Sequence, residues 1–323
     1  MSGEKLYVGL MSGTSADSID AVLVDLTTAN PKLLATHSAD IRTLKPEIHA
    51  LACNGENELH RMGQIDRELG LRFARATNEL LSQEKLHATD ITAIGSHGQT
   101  IRHFPPTKTS EHAYSIQVGD PNTIAQLTGI TTIADFRRRD VALGGHGAPL
   151  VPAFHQAVFE KPGVIRAIVN IGGVANITLL GGSDPSVPLQ GYDTGPGNAL
   201  MDSWTNQNLG QPFDRSGHWA SQGKPIPSLL GTLLGTPYLS QPAPKSTGPE
   251  LFNLSWLNAH LKQHPEASSV DIQATLLEFT ARTISDALKS NTPTVTEVFF
   301  CGGGAYNTTL TERLKALLHP SHV

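Results

Sequence analysis

The sequence predicts an α/β protein of two domains, each built on a mixed β-sheet flanked by helices. Short apolar runs of strand length alternate with stretches of helical period along the chain. The two halves open with related units of strand, Gly-bearing turn and strand, at residues 6–24 and again at 164–180, a sign of internal duplication. At 323 residues the chain is long enough for two cores. Residues 1–140 are expected to form the first domain and 141–323 the second.

Taken in order, Leu6-Tyr7-Val8 and Ala21-Val22-Leu23-Val24 read as buried strands around a polar turn, and Asn30-Pro31 marks the next bend. Met62, Ile65, Leu69, Phe73, Ala76 and Leu80 recur at helical spacing, predicting a helix over 61–82. Residues 91–95 read as a short strand that ends in Ser96-His97-Gly98-Gln99-Thr100. Asp120-Pro121 has the cap and first residue of a helix. A strand over 130–134 precedes the polar run 135–140. The second half predicts a helix through Phe154 and Phe159, strands over 164–170 and 177–180, and a helix over 271–289. A strand over 295–300 and a helix over 310–318 follow, while 225–249, rich in Pro, Gly and Ser, reads as a loop holding a short helix.

Composition narrows the function. A net charge of −5 with no Lys/Arg run argues against a nucleic-acid partner. No stretch approaches the roughly 18 apolar residues of a membrane span, and no secretory signal opens the chain. Cys53 and Cys301 lie far apart with no CxxC unit, which suits a reducing cytoplasm and offers no zinc site.

P-loop, Rossmann, nucleophile-elbow and zinc-protease signatures are all missing. What remains is three Gly-rich turns at strand ends, at 9–15, 172–176 and 302–307. Glycines let backbone N–H groups approach an anion, and hydroxyls add donors. Two such hairpin turns suit the gripping of phosphates and the third the support of a nucleoside, the plan of an actin-like, two-lobed phosphotransferase. Asp193, before Thr194-Gly195-Pro196, is either a general base or the N-cap of the helix through Leu200 and Trp204. His97 and Gln99 either bind a sugar hydroxyl or satisfy backbone groups. The run Arg137-Arg138-Arg139 is a solvated face unless one member contacts a carboxylate or phosphate.

Seven motifs then carry a resemblance: MSGTSADSID at 11–20, GSHGQTIRH at 95–103, DFRRRDVALGGHGAPLVPAFH at 135–155, NIGGVANIT at 170–178, YDTGPGN at 192–198, PKSTGPELFN at 244–253 and CGGGAYN at 301–307. In order and over nearly the whole chain, they resemble the anhydro-N-acetylmuramic acid kinase family of the actin/hexokinase/Hsp70-like superfamily. The resemblance implies a two-lobed actin-like ATPase fold of the ribonuclease H-like kind. It also implies ATP-dependent conversion of 1,6-anhydro-N-acetylmuramic acid to N-acetylmuramic acid 6-phosphate, in murein recycling in the cytoplasm. By the match Asp193 is the catalytic base. Gly13, Thr14, Ser15, Ala16, Asp17, Ser18, Ile19 and Asp20 correspond to the ATP phosphate site. Gly172, Gly173 and Asn176 form the second phosphate turn, and Gly302, Gly303, Gly304 and Asn307 the nucleoside side. Ser12, His97, Gln99, Arg137 and Asp193 are the expected sugar contacts. Asp17 and Asp20 are the candidates to hold Mg²⁺, or else simply order the hairpin.

The chain departs from the family pattern at Ala16, at Ser18, where a glycine is usual, and at His146, where Gln is usual. Ser18 matters if its position needs positive φ. Family members continue past the region matching 310–318 with a further segment. The alternatives are therefore a C-terminally shortened, weakly active or inactive ATP-binding homologue, or a kinase for another amino sugar. Partners are then ATP and a small amino sugar, with neither nucleic acid nor membrane, and a homodimer suits the resemblance.

Overall fold

The opening hairpin forms as the alternation requires: β1 (Leu6–Ser12) and β2 (Ser18–Asp25) pair antiparallel, with Val8, Leu10, Ile19, Ala21 and Leu23 buried. The computed structural model describes residues 5–13, 15–28, 30–106, 112–248, 251–290 and 294–323. Within them the chain divides into two units, 1–148 and 149–323, each with its own hydrophobic core.

In the first unit β3 (Lys32–Asp40) and α1 (Lys45–Leu51) follow the hairpin. Next comes α2 (Glu58–Glu84), which buries Ile65, Leu69, Phe73, Ala76 and Leu80, the stripe its spacing predicts. Then come β4 (Ile91–Phe104), β5 (Tyr114–Val118), α3 (Pro121–Thr128), β6 (Thr132–Ala134) and α4 (Phe136–Ala142). The sheet runs β3-β2-β1-β4-β5, with β6 also on β4. Asp120 caps α3 as expected, accepting from the N–H groups of Asn122 and Thr123.

One strand is longer than its sequence predicts. β4 continues through Ser96-His97-Gly98-Gln99-Thr100 to Phe104. Gly98 adopts φ +72, and a Cβ there would stand 2.7 Å from the Val118 carbonyl oxygen. This irregularity lets β4 exchange its parallel partners for antiparallel β5 beyond Gln99. His97 and Gln99 therefore sit within a strand rather than in a loop. The unit boundary falls after Ala148 rather than Asp140. The carboxylate of Asp140 accepts from the Gly147 N–H at 2.7 Å, and the Gly147 carbonyl accepts from Arg137 at 2.6 Å, tying 141–148 to the first unit.

The second unit contains α5 (Pro152–Phe159), β7 (Arg166–Ile171), β8 (Val174–Leu180), β9 (Gln190–Pro196) and α6 (Ala199–Leu209). It continues with α7 (Pro227–Leu234), α8 (Leu254–Leu261), α9 (Ser269–Lys289), β10 (Glu297–Cys301) and α10 (Thr308–Leu318). Its sheet order is β10-β7-β8-β9. Each unit thus repeats one plan: an antiparallel meander of three strands, β1-β2-β3 or β7-β8-β9, and a later strand parallel to the first, β4 or β10. The echoed hairpins are the visible part of that repetition.

β9 is the second departure. Tyr192-Asp193-Thr194-Gly195-Pro196 reads as a turn, but it forms the edge strand of the sheet, where a missing N–H costs no ladder bond. Asp193 is accordingly not the cap of α6; Asn198 holds that position.

Central to this unit is α9, capped by Ser268 accepting from the Asp271 N–H and buried on most of its circumference. Phe279 is fully buried, its ring 6.2 Å from that of Phe252 and 6.1 Å from that of Trp256. Phe279→Ala is expected to destabilise this unit by about 3–5 kcal/mol. Tyr306→Ala, at a residue 85% exposed, should change stability by no more than about 0.5 kcal/mol. Denaturant unfolding of both variants checks the contrast.

Candidate active site

The β1–β2 turn places its residues unequally. Gly13 faces open space, with no atom within 4 Å of where a Cβ would stand. Ala16, fully buried, takes φ +51 and donates its N–H to the Gly13 carbonyl. The unusual backbone is therefore at Ala16, not Ser18, which lies in β2 with no demand for glycine. Thr14 lies outside the described residues. Ile19, expected with the phosphate group, points its side chain into the core. Asp17 forms an ion pair with Lys45 at 2.7 Å. Burial works against its charge, but hydrogen bonds from Lys45 and Ser15 hold it below the ordinary carboxylate range. Asp20 is exposed and accepts from Ser38 at 2.9 Å and Ser18 at 3.3 Å.

Four of the expected sugar contacts belong to this unit, and they form two linked pairs. Ser12 Oγ donates to Gln99 Oε1 at 2.6 Å, both residues only 1% exposed. Arg137, on α4, donates from Nε to His97 Nε2 at 2.8 Å and from Nη1 to the Gly147 carbonyl. Arg137 is thus the member of the arginine run that turns inward, while Arg138 pairs with Asp135. Since His97 Nε2 accepts, its Nδ1 carries the proton and donates to the Gly98 carbonyl at 2.9 Å. Burial, then the Arg137 charge, hold His97 below its ordinary value, against the pull of that carbonyl. Close by, His103 Nδ1 lies 3.0 Å from Ser115 Oγ, which also accepts from Gln117. Ser96 Oγ, His103 Nε2, Gln117 Oε1 and His146 Nδ1 are buried without a hydrogen bond among the described residues. Such groups are costly unless a ligand or water satisfies them. Sequence reasoning overlooked Ser115 and Gln117, which only the β4–β5 pairing brings to His103 and Thr100.

In the second unit the glycine turns converge. The Gly172 carbonyl accepts from the Asn198 N–H at 2.8 Å, and the Gly173 carbonyl from the N–H of Gly197 at 2.9 Å. The β7–β8 turn is thereby fastened to the start of α6. Gly302 takes φ +80, where a Cβ would stand 2.6 Å from Asn170 Oδ1, and Gly304 lies close against Ile171. The third turn therefore packs directly on the end of β7. Gly303 is less confined, the nearest atom to its Cβ position being Asn198 Nδ2 at 3.8 Å. Asn307 spends its side chain on capping α10, accepting from the Leu310 N–H at 3.1 Å.

Asp193 lies in the middle of β9, 7% exposed. Its Oδ2 accepts from the Thr247 N–H at 3.0 Å, and its own N–H donates to the Lys245 carbonyl at 3.0 Å. Its carbonyl accepts from the Tyr238 hydroxyl at 2.8 Å. Lys245 Nζ caps the carbonyls of Tyr238 and Leu239 and sits 4.9 Å from the Tyr238 ring centroid, with burial holding its pKa below the ordinary lysine value. Asn176, expected with the phosphate turn, stands directly opposite Asp193 across the β8–β9 pair. The arrangement is a buried, oriented carboxylate of the kind general-base chemistry needs.

A family model described as anhydro-N-acetylmuramic acid kinase matches residues 5–323. The chain belongs to the anhydro-N-acetylmuramic acid kinase family. The anhydro-N-acetylmuramic acid kinase of Shewanella amazonensis is 51% identical over 318 residues, covering 98% of this chain and 84% of its own length. That of Shewanella oneidensis is 51% identical over 314 residues, covering 97% and 83% respectively. Among solved structures, component A of the (R)-2-hydroxyglutaryl-CoA dehydratase of Acidaminococcus fermentans aligns with TM-score 0.47 at 12% identity, over 97% of this chain and 88% of that one. The ROK hexokinase of Thermus thermophilus aligns with TM-score 0.38 at 12% identity, over 98% and 87%. As a member of the anhydro-N-acetylmuramic acid kinase family, the chain is a sugar kinase.

The histidine cluster of this kinase has a consequence for pH. His103 is pushed down to about 4 from an ordinary 6.5 by burial, then by the charges of Arg137 and His146. The folded state therefore holds it neutral where the unfolded chain would bind a proton. Its contribution to stability is complete above pH 6.5 and is lost as pH falls toward 4. His103→Asn should flatten the fall in Tm over that window relative to the parent chain. Parallel curves for the two proteins would contradict this assignment.

Proposed function

We propose that the chain uses ATP and water together to open the 1,6-anhydro ring of anhydro-N-acetylmuramic acid and phosphorylate its O6, giving N-acetylmuramic acid 6-phosphate and ADP in murein recycling. The observation that carries this reading is Asp193: a buried carboxylate held by the Thr247 N–H, on a chain about 50% identical to kinases named for that sugar. The 1,6-anhydro bridge is an internal glycoside, whose cleavage ordinarily needs a base for water and an acid for the leaving oxygen. Here the departing oxygen takes a phosphoryl group in place of a proton, so one carboxylate is enough. Asp193 accepts a proton from water as the water oxygen bonds to C1. The C1–O6 bond breaks, and O6 bonds to the γ-phosphorus as the bond to the ADP oxygen breaks.

The remaining residues divide by chemistry. Arg137, His97, Gln99 and Ser12 supply donors and acceptors for the sugar. Gly13 leaves room for a phosphate, and Gly172, Gly173 and Gly303 present backbone with little side-chain bulk. Mg²⁺ keeps several waters and takes one or two carboxylates together with substrate phosphates. Asp20 fits that demand, being exposed and, among the described residues, held by the neutral hydroxyls of Ser18 and Ser38, whereas Asp17 already has Lys45. When bound, the ion offsets charge on the phosphates. Among the described residues no helix is long and apolar enough to cross a membrane, and both cysteines are free. A reducing cytoplasm is the compartment this reading assigns.

Asp193→Asn should lower turnover roughly a hundredfold to ten-thousandfold, the usual contribution of a general base, with ATP affinity unchanged. Near-parental turnover would remove Asp193 from that role. Gly13→Val should weaken ATP binding by about tenfold or more, the effect of crowding a well-filled site. Calorimetric titration with unchanged affinity would show that the β1–β2 turn does not hold the nucleotide.

A further inference from the structure

The motif PKST at 244–247 resembles the family's pattern, and while Lys245 anchors the carbonyls of Tyr238 and Leu239, the hydroxyls of Ser246 and Thr247 have no task of that kind. The structure lays this segment along Asp193, with the Lys245 carbonyl accepting from the Asp193 N–H and the Thr247 N–H donating to Asp193 Oδ2. Backbone bonds at Lys245 and at Thr247 itself hold this segment against Asp193. Its hydroxyl, however, is buried and makes no hydrogen bond among the described residues. The same holds for Ser246 Oγ and for Asn176 Oδ1. Asn176 is the cross-strand neighbour of Asp193, and residues so paired point their side chains to the same face of the sheet. Unmet buried oxygens beside a buried carboxylate are the environment of a small polar guest.

We propose that Thr247 Oγ1 is a further catalytic group, holding the attacking water against Asp193 together with Asn176 Oδ1. A water molecule has two protons to give and two lone pairs. One proton goes to Asp193 and the other to Asn176 Oδ1. One lone pair accepts from the Thr247 hydroxyl, and the second faces C1. Every bond of the guest is thereby met and its nucleophilic lone pair is aimed. When the O–C1 bond forms, the proton shared with Asp193 passes to that carboxylate, while Thr247 and Asn176 change neither charge nor covalent state.

This assignment rests on Asp193 as the base, and the test separates the two. Thr247→Val keeps the shape of the side chain and the backbone N–H but removes the hydroxyl, while Thr247→Ser restores it. Thr247→Val should lower kcat by about tenfold to a hundredfold, the usual scale of one hydrogen bond at the reacting atom. KM for the anhydro sugar, calorimetric ATP affinity and Tm should stay at parental values, and Thr247→Ser should recover most of the rate. In an Asp193→Asn background, Thr247→Val should cost little more, because the two groups act on one water. A Thr247→Val enzyme with parental kcat would overturn the proposal. So would a rate loss that tracks a fall in Tm, or one that Thr247→Ser fails to repair. If Asp193→Asn alone retained turnover while Thr247→Val lost it and Thr247→Ser recovered it, the base assignment would fall and the Thr247 role would stand.

Discussion

Everything proposed for this chain depends on keeping the carboxylate of Asp193 in place while burying it. A buried charge is costly unless hydrogen bonds compensate for lost water. Part of the compensation is the Thr247 N–H on Oδ2, with the Lys245 carbonyl and Tyr238 hydroxyl fixing the strand on which Asp193 rides. Those partners are themselves constrained. Lys245 Nζ is anchored by the carbonyls of Tyr238 and Leu239 and packs on the Tyr238 ring. A residue whose rotamer and backbone are both held in this way needs little reorganisation when it accepts a proton.

The glycine turns answer a second constraint, that backbone must pass close to backbone. Gly302 and Gly304 let the third turn lie on Asn170 and Ile171, and the carbonyls of Gly172 and Gly173 are taken up by the start of α6. Gly302 and Gly304 are therefore needed for packing whether or not a nucleotide is bound, whereas a Cβ at Gly172 or Gly173 would make only ordinary contacts. Gly13, with empty space at its Cβ position, differs in kind. Under the proposed function that space is kept for a phosphate.

How much was legible in the sequence depended on whether a feature was local. α2 and α9 announced themselves through apolar spacing and α3 through its Asp120-Pro121 cap. The two hairpins were visible as echoes because both meanders begin with the same strand–turn–strand unit. β9 was hidden, since Gly195 and Pro196 mark a turn in a local reading and only an edge position accommodates them in a strand. The continuation of β4 was hidden for a related reason: Gly98 looks like a terminator but acts as an irregularity at which partners change. Of the expected site residues, Asp193, His97, Gln99 and Arg137 stood out through motif resemblance. Thr247 lay within a motif of the resemblance but drew no role from the sequence, because its significance lies in a contact with a residue 54 positions away. Ser18 drew attention as a missing glycine, yet the strained backbone belongs to Ala16.

The central claim is that water opens the sugar ring as O6 is phosphorylated. Turnover in ¹⁸O-labelled water with ATP, Mg²⁺ and 1,6-anhydro-N-acetylmuramic acid, quenched early and read by mass spectrometry, tests it most directly. The account predicts a sugar product heavier by one phosphoryl group and one labelled water, with the label at C1 and none in the phosphate. A product that gains the phosphoryl group with no water, its ring intact, would contradict it.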